Sequence, residues 1–136
     1  MRPWSAILAA ALLIAVVAAP CEAGAQQRRP CHSSDPIDTL VEMSDAIYAC
    51  WKPPAGTAGM SLTLRFSLRR NGTLIGKPRA TYSDLGTDQA LNRAFVTSIL
   101  KALDEALPLP FSDSMGGAVA GRMLAPRFTA TVEGAS

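Results

Sequence analysis

Residues 60–74 read MSLTLRFSLRRNGTL, and this stretch decides the fold. From Met60 to Leu68 apolar and polar residues alternate strictly. Leu62, Leu64, Phe66 and Leu68 take one side; Ser61, Thr63, Arg65, Ser67 and Arg69 take the other. A period of two puts each set on its own face, so the stretch predicts a half-buried strand. Asn71-Gly72 follows, and a type I′ hairpin turn calls for residues that accept positive φ at both central positions. A returning strand is therefore expected over about Thr73 to Ser83, weakened by Gly76 and Pro78. The turn also accounts for Asn71-Gly72-Thr73, which is formally a glycosylation sequon.

Working outward, the segment before this hairpin has helical spacing. Asp35-Pro36 supplies a cap and a first-turn proline. Ile37, Leu40, Val41, Ser44, Ile47, Tyr48 and Trp51 then form one stripe, which Pro53-Pro54 ends. After the hairpin, Thr87 or Asp88 caps a second helix reaching about Leu107. Its stripe is Ala90, Leu91, Ala94, Phe95, Ser98, Ile99, Ala102, Leu103 and Ala106. Pro108-Leu109-Pro110 stops it. Ser112 to Ala120 reads as a turn with one loose helical turn, in which Gly117 and Gly121 are loop glycines. A last strand runs from Arg122 to Val132.

The order helix, strand, strand, helix, strand implies an α+β fold, a helix-hairpin-helix-strand layer. Pro78 and Pro126 mark the second and third strands as edges, because proline cannot donate to a ladder. The first strand is then central, giving a three-stranded antiparallel sheet of order 2-1-3 with two helices packed on one face. The other face carries a basic set: Arg65, Arg69, Lys77 and Arg79.

The amino terminus reads as an export signal. Met1-Arg2 is a short positive start, Ala6 to Ala19 is uncharged and apolar, and Ala23-Gly24-Ala25 is a small-x-small cleavage pattern. Residues 1–25 are thus expected to be a signal peptide cleaved after Ala25, with Gln26 the first mature residue. An uncleaved anchor and acylation at Cys21 are the alternatives. Residues 26–34 form a polar, flexible lead-in, and residues 35–136 the domain. Those first 25 residues hold 19 hydrophobic side chains and leave 47 among the other 111, an ordinary globular value. One small domain fits this length, which excludes separate cofactor and substrate lobes. The mature form is expected not to be membrane-embedded.

Cleavage leaves Cys31 and Cys50, an even pair that predicts one disulfide in an oxidising compartment; two free thiols are the alternative. In the chain-entropy account such a loop contributes ~3 kcal/mol. Zinc is not expected, since His32 is the one histidine and Cys31-His32 plus a distant cysteine is not a zinc spacing. No phosphate loop, nucleophile elbow or zinc-helix motif occurs. Asp104-Glu105 are helix neighbours that do not face each other. No catalytic residue, cofactor or small-molecule substrate is therefore expected, and His32 is read as an exposed loop residue. A net charge of +2 with 6% aromatics argues against nucleic acid.

One run of short motifs resembles the carboxy-terminal domains of the TolA/TonB family. Cys50-Trp51-Lys52-Pro53-Pro54 resembles their W-x-P-P entry. The run from Arg65 to Leu74 is similar to their strand, turn and return, and Tyr82-Ser83-Asp84-Leu85-Gly86, the alanine-rich helix and Pro108-Leu109-Pro110 continue it. The resemblance spans about Ile37 to Val132. It implies a periplasmic module without enzymatic activity that binds envelope proteins, and strand addition at a sheet edge as the mode. On the predicted sheet that edge is the last strand, with Arg122, Leu124, Arg127, Phe128, Thr129 and Thr131 at the partner. A membrane-anchored energy transducer with a retained amino-terminal segment is the alternative, and a small exported enzyme or inhibitor the second.

Overall fold

The computed structural model describes residues 29–132 and 134–135. The expected signal peptide over 1–25, with Cys21 and the cleavage after Ala25, lies outside the described residues, as do residues 26–28. Among the described residues no helix is long and apolar enough to cross a membrane.

The chain runs α1 (Leu40–Ala49), β1 (Ser61–Leu68), β2 (Leu74–Asp84), α2 (Gln89–Ala106), α3 (Asp113–Val119), β3 (Met123–Leu124), β4 (Arg127–Thr131) and β5 (Gly134–Ala135). It is an α+β fold with an open antiparallel sheet of order β2-β1-β4-β5, and the short β3 also pairs with β1. The predicted 2-1-3 order is therefore present within it. Leu62, Leu64, Phe66 and Leu68 of β1 are all buried in one core cluster. The same cluster takes Met43 and Ile47 from α1, Phe95, Ile99 and Leu103 from α2, and Met115 and Val119 from α3.

Helix α1 starts later than Asp35-Pro36 suggested. Ile37 is fully buried and spends its backbone groups elsewhere: its amide donates to the Pro110 carbonyl (2.8 Å) and its carbonyl accepts from the Ser112 amide (3.0 Å). The helix is capped instead by Thr39, whose hydroxyl accepts from the Glu42 amide while the Glu42 carboxylate accepts from the Thr39 amide. That reciprocal pair is a capping box. The buried face is Met43, Ala46 and Ile47, and Leu40 and Val41 of the expected stripe are exposed. Helix α2 begins with Asp88 as N-cap, within the predicted bounds.

The hairpin turn is also different from the type I′ expectation. Gly72 has φ 83°, but Asn71 is not in the left-handed region. The Arg69 amide donates to the Thr73 carbonyl, and the Gly72 amide to the Arg69 carbonyl. Arg70, Asn71 and Gly72 thus make a three-residue loop with glycine in the left-handed position. Asn71 Oδ1 accepts from both the amide and the hydroxyl of Thr73, which holds the asparagine at negative φ.

The segment read as a loose turn is a two-turn helix, α3, capped by Ser112 and burying Met115 and Val119 four residues apart. Gly117 is therefore helical. The neighbouring Gly116 lets the chain pass close to Arg70, whose carbonyl oxygen would lie 2.6 Å from an added Cβ. The expected last strand is interrupted at Ala125-Pro126 and becomes β3 and β4, since Pro126 has no amide to carry a ladder. The strand β5 then pairs with β4 at Ala130 and Thr131. The expected last strand is therefore not the terminal edge there.

Candidate functional site

Two constellations hold the residues the sequence singled out. The first is the sheet surface opposite the buried β1 row. Thr63, Arg65 and Ser67 project there, alternating with Leu62, Leu64 and Phe66. Register places Arg65 directly across from Arg79 of β2, and Thr63 across from both Tyr82 of β2 and Arg127 of β4. The Arg127 guanidinium lies 5.2 Å from the centre of the Tyr82 ring, a cation–π contact, and its Nη2 donates to Ser61 Oγ at 2.9 Å. Arg65, Arg79, Arg127 and Tyr82 are all exposed. Among the described residues the one ion pair is Lys101–Glu105, on α2, so these arginines carry uncompensated charge.

Lys77 sits in the irregular segment Gly76–Pro78, where three β2 residues answer Phe66 alone. Arg69 is at the hairpin and donates to the Leu74 carbonyl (2.5 Å). The basic set therefore divides into Arg65 and Arg79, facing each other, and two residues near the turn. Tyr82 and Arg127 complete the first group without having been assigned to it by sequence. A second irregularity, between Ala80 and Tyr82, turns Tyr82 onto the open surface; simple alternation along β2 would not place it there.

The residues assigned to a partner edge are spread over several roles. Leu124 and Phe128 are buried in the core, Arg122 is exposed just before β3, and Arg127 belongs to the cationic surface. Thr129 pairs across from Ser61, and Thr131 across from Gly134 of β5. The Arg127 carbonyl accepts from the Tyr48 hydroxyl at 2.6 Å. The outer side of β4 is thus occupied at Arg127 and at its carboxy-terminal end. By contrast β2, eleven residues long, pairs with β1, and among the described residues no strand pairs with its other side.

The Tyr48 bond makes a pH prediction. Burial, and secondarily the charge of Asp45, push the Tyr48 phenol above its ordinary value of 10.0. The unfolded chain then loses this proton first, so the folded state binds more protons and stability falls as pH rises. The contribution is complete below the unfolded pKa and disappears through the folded one. Urea midpoints should drop as the pH rises above about 10, less steeply in Tyr48→Phe. Equal slopes in the two proteins would contradict this assignment.

The second constellation is at the start of the described chain. Cys31 and Cys50 form the predicted disulfide, with Cα atoms 4.8 Å apart. Cys50 is the C-cap of α1, and its amide donates to the Ile47 carbonyl. Arg29 donates to the carbonyls of Ser33 and Asp35, so residues 29–35 are tied together beside the disulfide. His32 is exposed with φ 65°. Asp104 is exposed, and Glu105 pairs with Lys101 at 3.7 Å.

Residues 33–132 match the family model described as uncharacterised conserved protein UCP034077. No curated protein and no solved structure matches the chain. The TolA/TonB resemblance is corrected by this finding, since no model of that family matches. Its motifs were a cap, a hairpin turn and helix-stopping prolines, each answering a local demand that unrelated chains share. The matched segment is most of the chain, which belongs to the family of uncharacterised conserved protein UCP034077.

Proposed function

We propose that this protein is a protein-binding module without enzymatic activity, exported to an oxidising compartment, that takes up an extended acidic segment along β2. The observation that carries the reading is the cationic surface of Arg65, Arg79 and Arg127 beside the one-sided strand β2. With the helices covering one face of the sheet, the other face and its β2 rim are left for a partner. An unpaired rim offers backbone donors and acceptors for a further strand, and side chains at alternate positions set specificity. Uncompensated arginines next to that rim favour carboxylates and speed encounter. The disulfide supports the compartment.

The rim is guarded in part. Gly76, Lys77 and Pro78 bend and block its first half, a device that suppresses self-pairing. The usable stretch is Arg79 to Asp84. Even-numbered β1 residues bond towards β4, as in the Leu64 amide to the Pro126 carbonyl, so odd ones bond towards β2. Arg79 and Tyr82 therefore face their partners Arg65 and Thr63, and the amides of Ala80 and Ser83 point to the free rim.

The test is a fluorescently labelled peptide alternating glutamate with valine, read by anisotropy. Binding should be present at low salt and weaken as salt rises. Charge reversal in Arg65→Glu/Arg79→Glu should weaken it by more than about tenfold. Ser83→Pro should abolish it while circular dichroism remains native. Absence of binding to the folded wild-type protein at low salt would remove the proposal.

A further inference from the structure

Sulfurs and imidazole meet in a way their spacing in the sequence does not announce. The ligand atoms of Cys31, His32 and Cys50 all lie within 4.8 Å of one another. Consecutive side chains on an extended chain point to opposite sides. The left-handed backbone at His32, φ 65°, turns the chain so that residues 31 and 32 converge on Cys50. Few residues with a Cβ take that conformation, and histidine is among those that do so more often. Cys50 is buried, Cys31 half-buried and His32 exposed, which leaves the cluster open to solvent on one side.

Two thiolates and an imidazole are the donor set of a thiophilic cation. Zinc holds sulfur at about 2.3 Å and nitrogen at about 2.0–2.1 Å in tetrahedral geometry, which sets neighbouring ligand atoms roughly 3.6–3.8 Å apart. The span of the cluster accommodates this with a small separation of the two sulfurs. Thiolates also select copper(I) over harder ions.

We propose that Cys31, His32 and Cys50 in the reduced protein form a binding site for a closed-shell thiophilic cation, Zn2+ or Cu(I), which the disulfide abolishes. A dithiol reductant supplies two electrons and two protons, the S–S bond breaks, and the reductant closes its own disulfide. The cation then displaces the two thiol protons to solvent and gains two metal–sulfur bonds and one bond from the neutral imidazole. On Zn2+ a water completes four-coordination from the open side. The same sulfurs serve either bond, so oxidation state decides whether the site exists. The segment has other ties: Arg29 donates to Ser33 and Asp35, and Ile37 is bonded to Pro110 and Ser112. This inference is independent of the peptide-binding reading.

The experiment titrates Zn2+, and in a second arm Cu(I), into phosphine-reduced full-length protein against a chromophoric chelator, following the fold by circular dichroism. One equivalent should bind to the reduced protein and none to the oxidised one. His32→Ala, which retains both cysteines, should weaken binding by at least about tenfold, the lower end of what lesser changes around a metal cost. Co2+ as a probe should show a sulfur-to-cobalt charge-transfer band that His32→Ala shifts. If the reduced chain loosens, Zn2+ should restore its native spectrum. A reduced chain that neither captures nor is ordered by either cation overturns the proposal, as does binding that His32→Ala leaves unchanged.

Discussion

Replacing Gly72 by alanine should cost about 4 kcal/mol or more, the range reserved for a clash the core cannot absorb. Gly72 has φ 83°, and a Cβ there would lie 2.0 Å from the Leu109 carbonyl oxygen and 2.6 Å from its nitrogen. Those are backbone atoms, and the Leu109 amide itself donates to the Gly72 carbonyl at 3.1 Å. Relief would require moving the hairpin off the segment after α2, and Leu109 is buried in the core. Gly76→Ala is the matching control. Its φ is 68° with nothing within 4 Å, so only the left-handed penalty of about 1–2 kcal/mol applies. Chemical denaturation of the two variants separates contact from conformation; equal losses would show that the close approach at Leu109 contributes nothing.

Phe128→Ala is expected to cost about 3–5 kcal/mol. Phe128 is fully buried and stands edge-on to Tyr48 (5.3 Å between ring centres) and Trp51 (5.4 Å), and Trp51 meets Phe95 of α2 at 5.8 Å. One ring therefore joins β4 to α1 and, through Trp51, to α2. Trp51 is fixed by its indole N–H donating to Ser98 Oγ at 2.9 Å. Phe128→Leu keeps most of the volume and should lose much less. A melting temperature for Phe128→Ala within a few degrees of wild type would mean that this cluster is not central.

How far these features were legible in the sequence depends on what fixes each one. The strand β1 and helix α2 were legible because a long unbroken period admits one reading of each face. The start of α1 was not. Asp35-Pro36 and Thr39-x-x-Glu42 are both good caps, and the choice is made by Ile37 bonding to Pro110 and Ser112, more than seventy residues away. Once the start moves, Leu40 and Val41 leave the buried face. The two-residue β5 carries no pattern at all, so the assignment of a free edge to the last strand could not be corrected from sequence. Arg65 was readable by alternation on β1. Tyr82 was not, because the irregularity beside Thr81 changes which residues share its face. The disulfide followed from cysteine arithmetic, whereas the approach of His32 to it depends on one backbone angle.

Amide hydrogen exchange along β2, with and without the acidic peptide, tests the central claim most directly. In the free protein the Ala80 and Ser83 amides face the open rim and should exchange fast, whereas those of Arg79 and Tyr82, turned towards β1, should exchange slowly. A strand added to the rim should protect Ala80 and Ser83 and leave Arg79 and Tyr82 as they were. Saturating peptide that leaves Ala80 and Ser83 unprotected would contradict pairing along β2.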